Sequence, residues 1–331
     1  MCSGTYPLTS RHISLDTIRE ATSVVYDAAV RTPLVRLHLP DSRRPPVPEI
    51  YLKLETLQPI GSFKIRGAYN AIRHLTPEQL AQGVWTVSAG NAAQGVALAA
   101  RIVGAPCSVL VMDTAPATKL NAIQQLGAAI VKASYDECWR TVEQHRSDRM
   151  KGQFVHPFDD DRFISGNGTI GLEIVEDLPD VDAVIAPLGG GGLLAGIACV
   201  LQALRPGARV YAAEPETAAP LAQSFREGRA SRFDGWQSSF VDGAGGKSVL
   251  PTMWPLLQAL VDESIVVSLD EIAAAMRKTA ERVHVVAEGA GATAIAAALS
   301  GRAGSGKVVA VVSGGNIDLT RFAELTASQH A

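Results

Sequence analysis

The chain has 331 residues, 47% of them hydrophobic and 19% charged, and a formal net charge of −3 at pH 7. This length and composition suffice for two domains of ordinary size with large buried cores. Acidic and basic residues are interspersed, with neither a basic stripe for nucleic acid nor a Lys and Arg patch for anionic lipid, so we expect neither partner.

The N-terminal segment and the cysteines predict a cytoplasmic protein. MCSGTYPLTSRHISLD lacks a basic start followed by an apolar stretch, and apolar runs elsewhere are interrupted well before membrane-spanning length. The four cysteines are scattered without CxxC or Cys/His ligand spacing, which predicts reduced, mostly buried thiols.

Strand-like and helix-like segments alternate through the first half of the chain. SRRPPVPE, from Ser42 to Glu49, holds three prolines and predicts a surface loop. The segments that follow are YLKLET, VWTVSA, NAAQGVALAARIVG, CSVLVM, TKLNAIQQLG and AAIVKA. The last three predict a strand, a helix that stops near Gly127 and a second strand. We assign this unit to a smaller, separate sheet.

The second half repeats the alternation, and its strands predict the larger sheet. Its segments are VDAVIAPLG, GLLAGIACVLQAL, RVYAAEP, SIVVSL, EIAAAMRKTAERV and KVVAVVSGG. Such alternation is typical of an α/β fold with mainly parallel sheets and helices on both faces.

GSFKIRGA, from Gly61 to Ala68, places Lys64 among small residues and beside Phe63. A lysine held in this way can form an imine with an aldehyde cofactor. Alternatively, Lys64 and Arg66 belong to the solvated face of an edge strand or of a helix start.

Four consecutive glycines join an apolar strand to an apolar helix. Successive amides at such a junction can bind one phosphate, and the helix dipole favours an anion there. A flexible turn is the structural alternative. A dinucleotide site is another, because Gly190, Gly192 and Ala195 satisfy G-x-G-x-x-A and Glu214 ends the next strand, where a ribose-binding acid is expected.

Two further segments follow apolar strands. Ser313 in SGGN comes after KVVAVV, at the carboxyl end of a strand, where open α/β sheets bind their ligands. SAGNAAQG, from Ser88 to Gly95, offers free amides from Ser88 to Asn91 to a carboxylate. A turn at Ser313, and a helix N-cap by Ser88 or Asn91, are the alternatives.

GSFKIRGA, SAGNAAQG, GGGG and SGGN, in this order and at these separations, resemble the fold type II pyridoxal phosphate enzymes. The resemblance is to the threonine and serine dehydratase (ammonia-lyase) branch and runs from Thr32 to Leu319. It implies pyridoxal 5'-phosphate as cofactor, a homodimer and a tryptophan synthase β-like fold with two open, twisted sheets. It also implies a small domain at residues 82–156, inserted in a large cofactor-binding domain of residues 1–81 and 157–331.

The resemblance implies roles for individual residues. Lys64 holds the cofactor as a Schiff base and removes the Cα proton, and Ser88 is a second catalytic candidate. The cofactor-binding candidates are Phe63, Lys64, Asn91, Gly189, Gly190, Gly191, Gly192, Leu193, Glu288 and Ser313. The substrate-binding candidates are Ser88, Ala89, Gly90, Asn91 and Asp242. Glu288 could instead be a helix cap or a buried structural acid, and Asp242 a turn residue.

Departures from the family pattern bear on substrate and metal. The family commonly reads SSGNHAQG, whereas Ala89 and Ala92 stand here, which argues against racemisation and leaves room for a bulkier substrate such as phenylserine. In some relatives the segment around Glu214 binds a divalent cation, but Pro220 stands where an aspartate is needed, so no metal is expected and Glu214 is a weak candidate.

The predicted activity is α,β-elimination of water from L-threonine, L-serine or a bulkier analogue such as L-threo-phenylserine, which yields a 2-oxo acid and ammonia. β-Replacement enzymes and serine racemases are rival predictions with the same cofactor. The former usually carry Asp directly after the lysine, where this chain has Ile65 and Arg66. Two rival predictions without this chemistry are a nicotinamide-dependent oxidoreductase and a catalytically inactive amino-acid-binding protein.

Overall fold

The computed structural model describes residues 11–39 and 48–327. Cys2 and most of the loop predicted at residues 42–49 therefore lie outside the described residues. The loop prediction is wrong at Glu49, where a strand already begins. Cys107, Cys138 and Cys199 are free thiols, the last two buried.

Ten strands form two sheets within the described ranges. The six-stranded sheet has the order β1-β2-β10-β7-β8-β9 and is parallel except for β1, and the four-stranded sheet, β5-β4-β3-β6, is parallel throughout. The strands are β1 Leu34–Arg36, β2 Glu49–Leu54, β3 Val84–Val87, β4 Cys107–Met112, β5 Ala129–Ala133, β6 Gln153–Phe154, β7 Ala183–Pro187, β8 Arg209–Pro215, β9 Glu263–Val267 and β10 Lys307–Val312.

Thirteen α-helices connect these strands in the part of the chain that the structure describes. They are α1 Leu15–Val25, α2 Lys64–Arg73, α3 Pro77–Ala81, α4 Asn91–Val103, α5 Ala117–Gln125, α6 Tyr135–Gln144, α7 Asp161–Asp177, α8 Gly192–Leu204, α9 Pro220–Glu227, α10 Trp254–Leu260, α11 Leu269–Val283, α12 Gly289–Leu299 and α13 Leu319–Thr326. Among them, none combines the length and the apolar character that a bilayer crossing needs.

The core lies on both faces of the larger sheet. Side chains alternate between faces along a strand. In β10, Val308, Ala310 and Val312 belong to the apolar cluster that includes α11 and α12, whereas Val309 and Val311 belong to the cluster that includes α7 and α8. A strand buried on both faces reads as a continuous apolar run, as KVVAVV does. The predicted α/β arrangement is confirmed.

The sheet order brings distant motifs to one edge. β10 lies between β2 and β7, and its last residue, Val312, pairs with Leu54 at the end of β2. The carboxyl ends of these parallel strands therefore lie side by side, and the segments that follow them converge. The four strands of the smaller sheet fall between residues 84 and 154. The domain boundaries at 82 and 156 stay a prediction.

Candidate active site

Lys64 is the first residue of α2, and its side chain is partly buried between two aromatic rings. Nζ donates a hydrogen bond to Pro157 O at 2.6 Å and lies 5.1 Å from the centre of the Phe63 ring and 5.3 Å from that of Phe163. Burial of the amine lowers the pKa of Lys64 to about 7. A substantial fraction of this lysine is therefore neutral near pH 7, and a neutral amine is a nucleophile and a base.

The lysine segment is tied to the SGGN segment, some 250 residues later in the chain. Phe63 N–H donates to Ser313 O at 3.0 Å, and Asn316 Nδ2 donates to Ile60 O at 2.7 Å. Gly61 has a φ of +69°, and a β-carbon added there would lie 2.5 Å from Asn316 Oδ1. Glycine at this position therefore permits both the turn and the close approach.

Ser313 directly follows β10 and is only 3% exposed. Its hydroxyl forms no hydrogen bond with any residue in 11–39 or 48–327. A hydroxyl without a protein partner beside the lysine segment is available to an acceptor on a bound molecule.

Asn91 and Glu288 meet from the N-terminal ends of α4 and α12. Asn91 Nδ2 donates to Glu288 Oε1 at 2.7 Å, and Asn316 Nδ2 donates to Asn91 Oδ1 at 2.8 Å. Burial raises the pKa of Glu288 to about 7, although the hydrogen bond from Asn91 opposes this shift. Glu288 occupies the N-cap position of α12, but its side chain makes no capping bond. The helix-cap alternative for this carboxyl is therefore wrong.

The SAGN segment leads from β3 into α4. Ser88 N–H donates to Leu110 O at 3.1 Å, and Gly90 N–H donates to Ser88 Oγ at 3.1 Å. The prediction that all amides from Ser88 to Asn91 are free is therefore wrong for two of them. The amides of Ala89 and Asn91 have no acceptor among the described residues. The N-cap is Gly90, so the capping alternative for Ser88 and Asn91 is wrong as well.

The glycine run joins β7 to α8. Inside the described ranges, the amides of Gly190 to Leu193 donate to no backbone carbonyl and no side chain. A β-carbon added at Gly190 would lie 2.0 Å from the Phe158 ring, and one added at Gly192 would lie 2.5 Å from Phe158 O. Gly189 abuts a carbonyl of the 240–247 loop, and Gly191 has a φ of +93°. This packing excludes a loose turn, and the unsatisfied amides suit a phosphate.

Asp242 is paired with a residue of the helix that follows strand β4 of the smaller sheet. Its carboxylate, 67% exposed, forms an ion pair with Lys119 of α5. The pair joins the glycine-rich loop after Val241 to the helix that follows β4. A substrate hydroxyl would therefore compete with Lys119 for this carboxylate.

Glu214 is a buried helix cap. Its carboxylate accepts the N–H groups of Leu221 and Ala222, each at 2.8 Å, and the Ser264 hydroxyl at 2.5 Å. Burial raises the pKa of Glu214 to about 7. These donors occupy both carboxylate oxygens. The role of Glu214 is therefore to cap the first amides of α9, which begins at Pro220.

The structure thus brings together Phe63, Lys64, Asn91, Glu288 and Ser313. The glycine run lies nearby, because Phe158, which contacts it, directly follows the Pro157 carbonyl that binds Lys64. Pro157 and Asn316 are not among the residues predicted from the sequence. A backbone carbonyl such as that of Pro157 leaves no signal in residue type. Asn316 stands within SGGN, so its motif was visible but its contact was not.

Comparison with known proteins identifies the group to which these features belong. The pyridoxal-phosphate dependent enzyme family matches residues 25–314. The L-threonine ammonia-lyase of Thermotoga maritima is 44% identical over 274 residues, which are 82% of this chain and 68% of that protein. A catabolic L-threonine dehydratase of Staphylococcus aureus is 41% identical over 330 residues, 97% of this chain and 94% of the relative.

A solved structure supports the same family assignment. Maize serine racemase has a TM-score of 0.85 and 34% identity, and the match covers 95% of this chain and 97% of that one. The family, the fold type II architecture and the cofactor predicted from the sequence are confirmed. The family match gives no support to the dinucleotide alternative for the G-x-G-x-x-A pattern. The chain belongs to the pyridoxal-phosphate dependent enzyme family.

Proposed function

We propose that this protein is an ammonia-lyase that removes water from L-threonine or L-serine to give a 2-oxo acid and ammonia. The observation that carries the proposal is the Lys64 amine, which donates to Pro157 O between two aromatic rings and has its pKa lowered to about 7, together with unsatisfied amides at two helix N-termini. The names of the relatives from Thermotoga maritima and Staphylococcus aureus support the same reaction.

The residues present fit the cofactor. The unsatisfied amides of Gly190 to Leu193 would hold its phosphate, the free Ser313 hydroxyl its ring nitrogen, and Asn91 its ring hydroxyl. When bound, pyridoxal phosphate supplies an aldehyde carbon for Lys64 and a ring that withdraws electrons from the substrate's Cα. Ser313 offers that ring a neutral partner rather than a carboxylate, which favours prompt elimination over long-lived carbanions.

The protein's own groups bind the substrate and move its proton. The free amides of Ala89 and Asn91, at the N-terminus of α4, would bind the substrate carboxylate. The neutral Lys64 amine would then take the Cα proton, because its lowered pKa is close to working pH. Loss of water leaves a 2-aminoacrylate or its methyl homologue, which hydrolyses to the 2-oxo acid and ammonia.

The side chain of the preferred substrate is a finer proposal. Ala89 and Ala92 carry only methyl groups where the family pattern has Ser and His, and we propose that these smaller side chains accommodate a phenyl group at Cβ, as in L-threo-phenylserine. The cytoplasmic location and the homodimer likewise remain proposals, which rest on the sequence and on the family.

Serine racemisation is the second candidate, because the maize enzyme shares the fold closely. A racemase needs an acid–base group on the face of the cofactor opposite to lysine, and the methyl side chain of Ala89 cannot serve as one. We expect no racemase activity in the wild-type protein and a gain of serine racemisation in Ala89→Ser. Chiral chromatography of the serine that remains would measure this gain.

The test of the proposed function is an assay of the purified holoprotein with L-threonine, L-serine and L-threo-phenylserine. We expect 2-oxo acid and ammonia in equal amounts from at least one of them, and the preferred substrate identifies the side-chain pocket. A yellow protein that turns over none of the three would contradict the proposal. A protein that does not bind pyridoxal phosphate at all would remove its basis.

A further inference from the structure

A buried carboxylate lies behind the active site, in a cluster that the proposed reaction does not use. Asp159 is 2% exposed in its side chain. Its carboxylate pairs with Arg11, accepts the Thr252 hydroxyl at 2.6 Å and lies 3.2 Å from His145 Nε2. These partners come from three separate parts of the chain, so Asp159 fixes one short turn from several sides.

Hydrogen bonds within the turn, residues 156–159, stabilise it. His156 Nδ1 accepts the N–H of Asp159 at 2.7 Å and that of Phe158 at 3.3 Å, so its other nitrogen carries the proton and donates to Val142 O at 3.1 Å. Burial and the neighbouring His145 ring lower the pKa of His156, which keeps this tautomer neutral.

His145, His156 and Asp159 have the spacing of metal ligands, and they are the one such group in the described ranges. However, both His156 nitrogens already have partners, and Arg11 and Thr252 occupy the carboxylate. A metal would have to displace all of these contacts. The cluster therefore stabilises the conformation of the 156–159 turn.

This turn reaches the active site at two points. Pro157 O accepts the hydrogen bond from Lys64 Nζ at 2.6 Å. The Phe158 ring lies directly under Gly190, and Phe158 O lies against Gly192, so the same turn forms the floor of the glycine run. A displacement of the turn would change both the environment of the lysine and the shape of the phosphate site.

We propose that Asp159 is a positioning residue, which holds the 156–159 turn so that Pro157 orients the Lys64 amine and Phe158 supports the phosphate-binding amides. The proposal rests on the proposed role of Lys64 as the cofactor lysine. Asp159 itself touches neither the lysine nor the glycine run. Its charge holds Arg11, and an amide in its place would leave this partly buried guanidinium with Asp161 as its remaining acidic partner among the described residues.

Asp159→Asn tests this proposal, and Asp161→Asn is its matched control. Asp161 also binds Arg11, at 2.7 Å, but it is 61% exposed and lies in the first turn of α7, outside the 156–159 turn. The dissociation constant for pyridoxal phosphate would be measured by titrating each apoprotein. We expect Asp159→Asn to weaken binding about tenfold and Asp161→Asn to change it by less than about twofold.

A second readout uses the apoprotein alone. The pH dependence of Lys64 acylation, followed by mass spectrometry, reports the pKa of its amine. Loss of the Pro157 acceptor removes a hydrogen bond that favours the ammonium, so the acylation midpoint should fall in Asp159→Asn and stay unchanged in Asp161→Asn. A merely structural role would lower the melting temperature without moving this midpoint.

Each outcome separates the two proposals. Wild-type binding of the cofactor at Lys64 together with unchanged affinity and midpoint in Asp159→Asn would overturn the positioning role alone. Equal losses in both variants would overturn it too. If Asp159→Asn does not fold, Thr252→Val removes one donor to the same carboxylate, and we expect about a threefold weaker cofactor affinity. An unchanged affinity in that variant would contradict the proposal.

Discussion

Two basic residues, Lys64 and Arg66, lie two positions apart at the start of α2, and their surroundings differ sharply. Arg66 is fully buried, and its guanidinium donates to Glu55 at 2.8 Å and to Glu173 at 2.6 Å. Although burial opposes it, these two carboxylates raise the pKa of Arg66. Lys64 forms no ion pair with a carboxylate of the described residues, and burial lowers its pKa to about 7.

This difference shows how the start of one helix can hold both a structural cation and a reactive amine. A buried cation with carboxylate partners keeps its charge and joins segments, here α2 with α7 and the turn after β2. A buried amine without such partners loses its proton easily and becomes reactive. The partners decide the role, although both residues are basic and both belong to the octamer GSFKIRGA.

The largest expected effect is on catalysis. Lys64→Ala should lower kcat by about 10³-fold or more, because it removes both the cofactor attachment and the base. Its circular dichroism spectrum should remain that of the wild type. A variant with near-normal turnover would show that another group does the chemistry.

The next largest effect is on stability. Arg66→Met should lower the free energy of unfolding by about 3–5 kcal/mol, because Glu55 and Glu173 lose the cation that both of them contact. Arg31→Met is the control, since Arg31 also pairs with two carboxylates but is 45% exposed, and it should cost less than about 1 kcal/mol. Urea denaturation measures both, and similar losses would refute the contrast.

A smaller effect concerns pH. The pKa of Lys64 is about 7 in the folded state and 10.5 in the unfolded chain, so between these values the unfolded chain binds more protons. The apoprotein should therefore gain stability relative to Lys64→Met as pH rises, by up to about 3 kcal/mol between pH 7 and 9.5. A constant or falling difference in unfolding free energy would mean that the amine is not desolvated.

Much of the fold is predictable because its signals are local. Apart from Lys307 and Asp182, KVVAVV and VDAVIAPLG are apolar because β10 and β7 are buried on both faces. Glycines at strand-to-helix junctions mark the positions where α8 and the lysine segment begin. Parallel sheets then bring such junctions to one edge, so Lys64 and Ser313 are expected in one site from the sequence alone.

The contacts that fine-tune the site were not predictable. Asp242, in a loop, pairs with Lys119 of α5, and no local pattern links residues 123 positions apart. The amide of Ser88 is used by Leu110 of the neighbouring strand, which only the sheet register reveals. Pro157 acts through its carbonyl, a group that every residue carries. These features depend on tertiary packing rather than on residue type.

The most direct test of the central claim is to find the lysine that carries the cofactor. Borohydride reduction of the holoprotein would fix pyridoxal phosphate to its lysine, and peptide mass spectrometry would locate it. We predict the modification on the peptide that contains Lys64, and none in Lys64→Ala. Modification of another lysine, such as Lys53 or Lys119, or none in the reduced wild-type protein, would contradict the account.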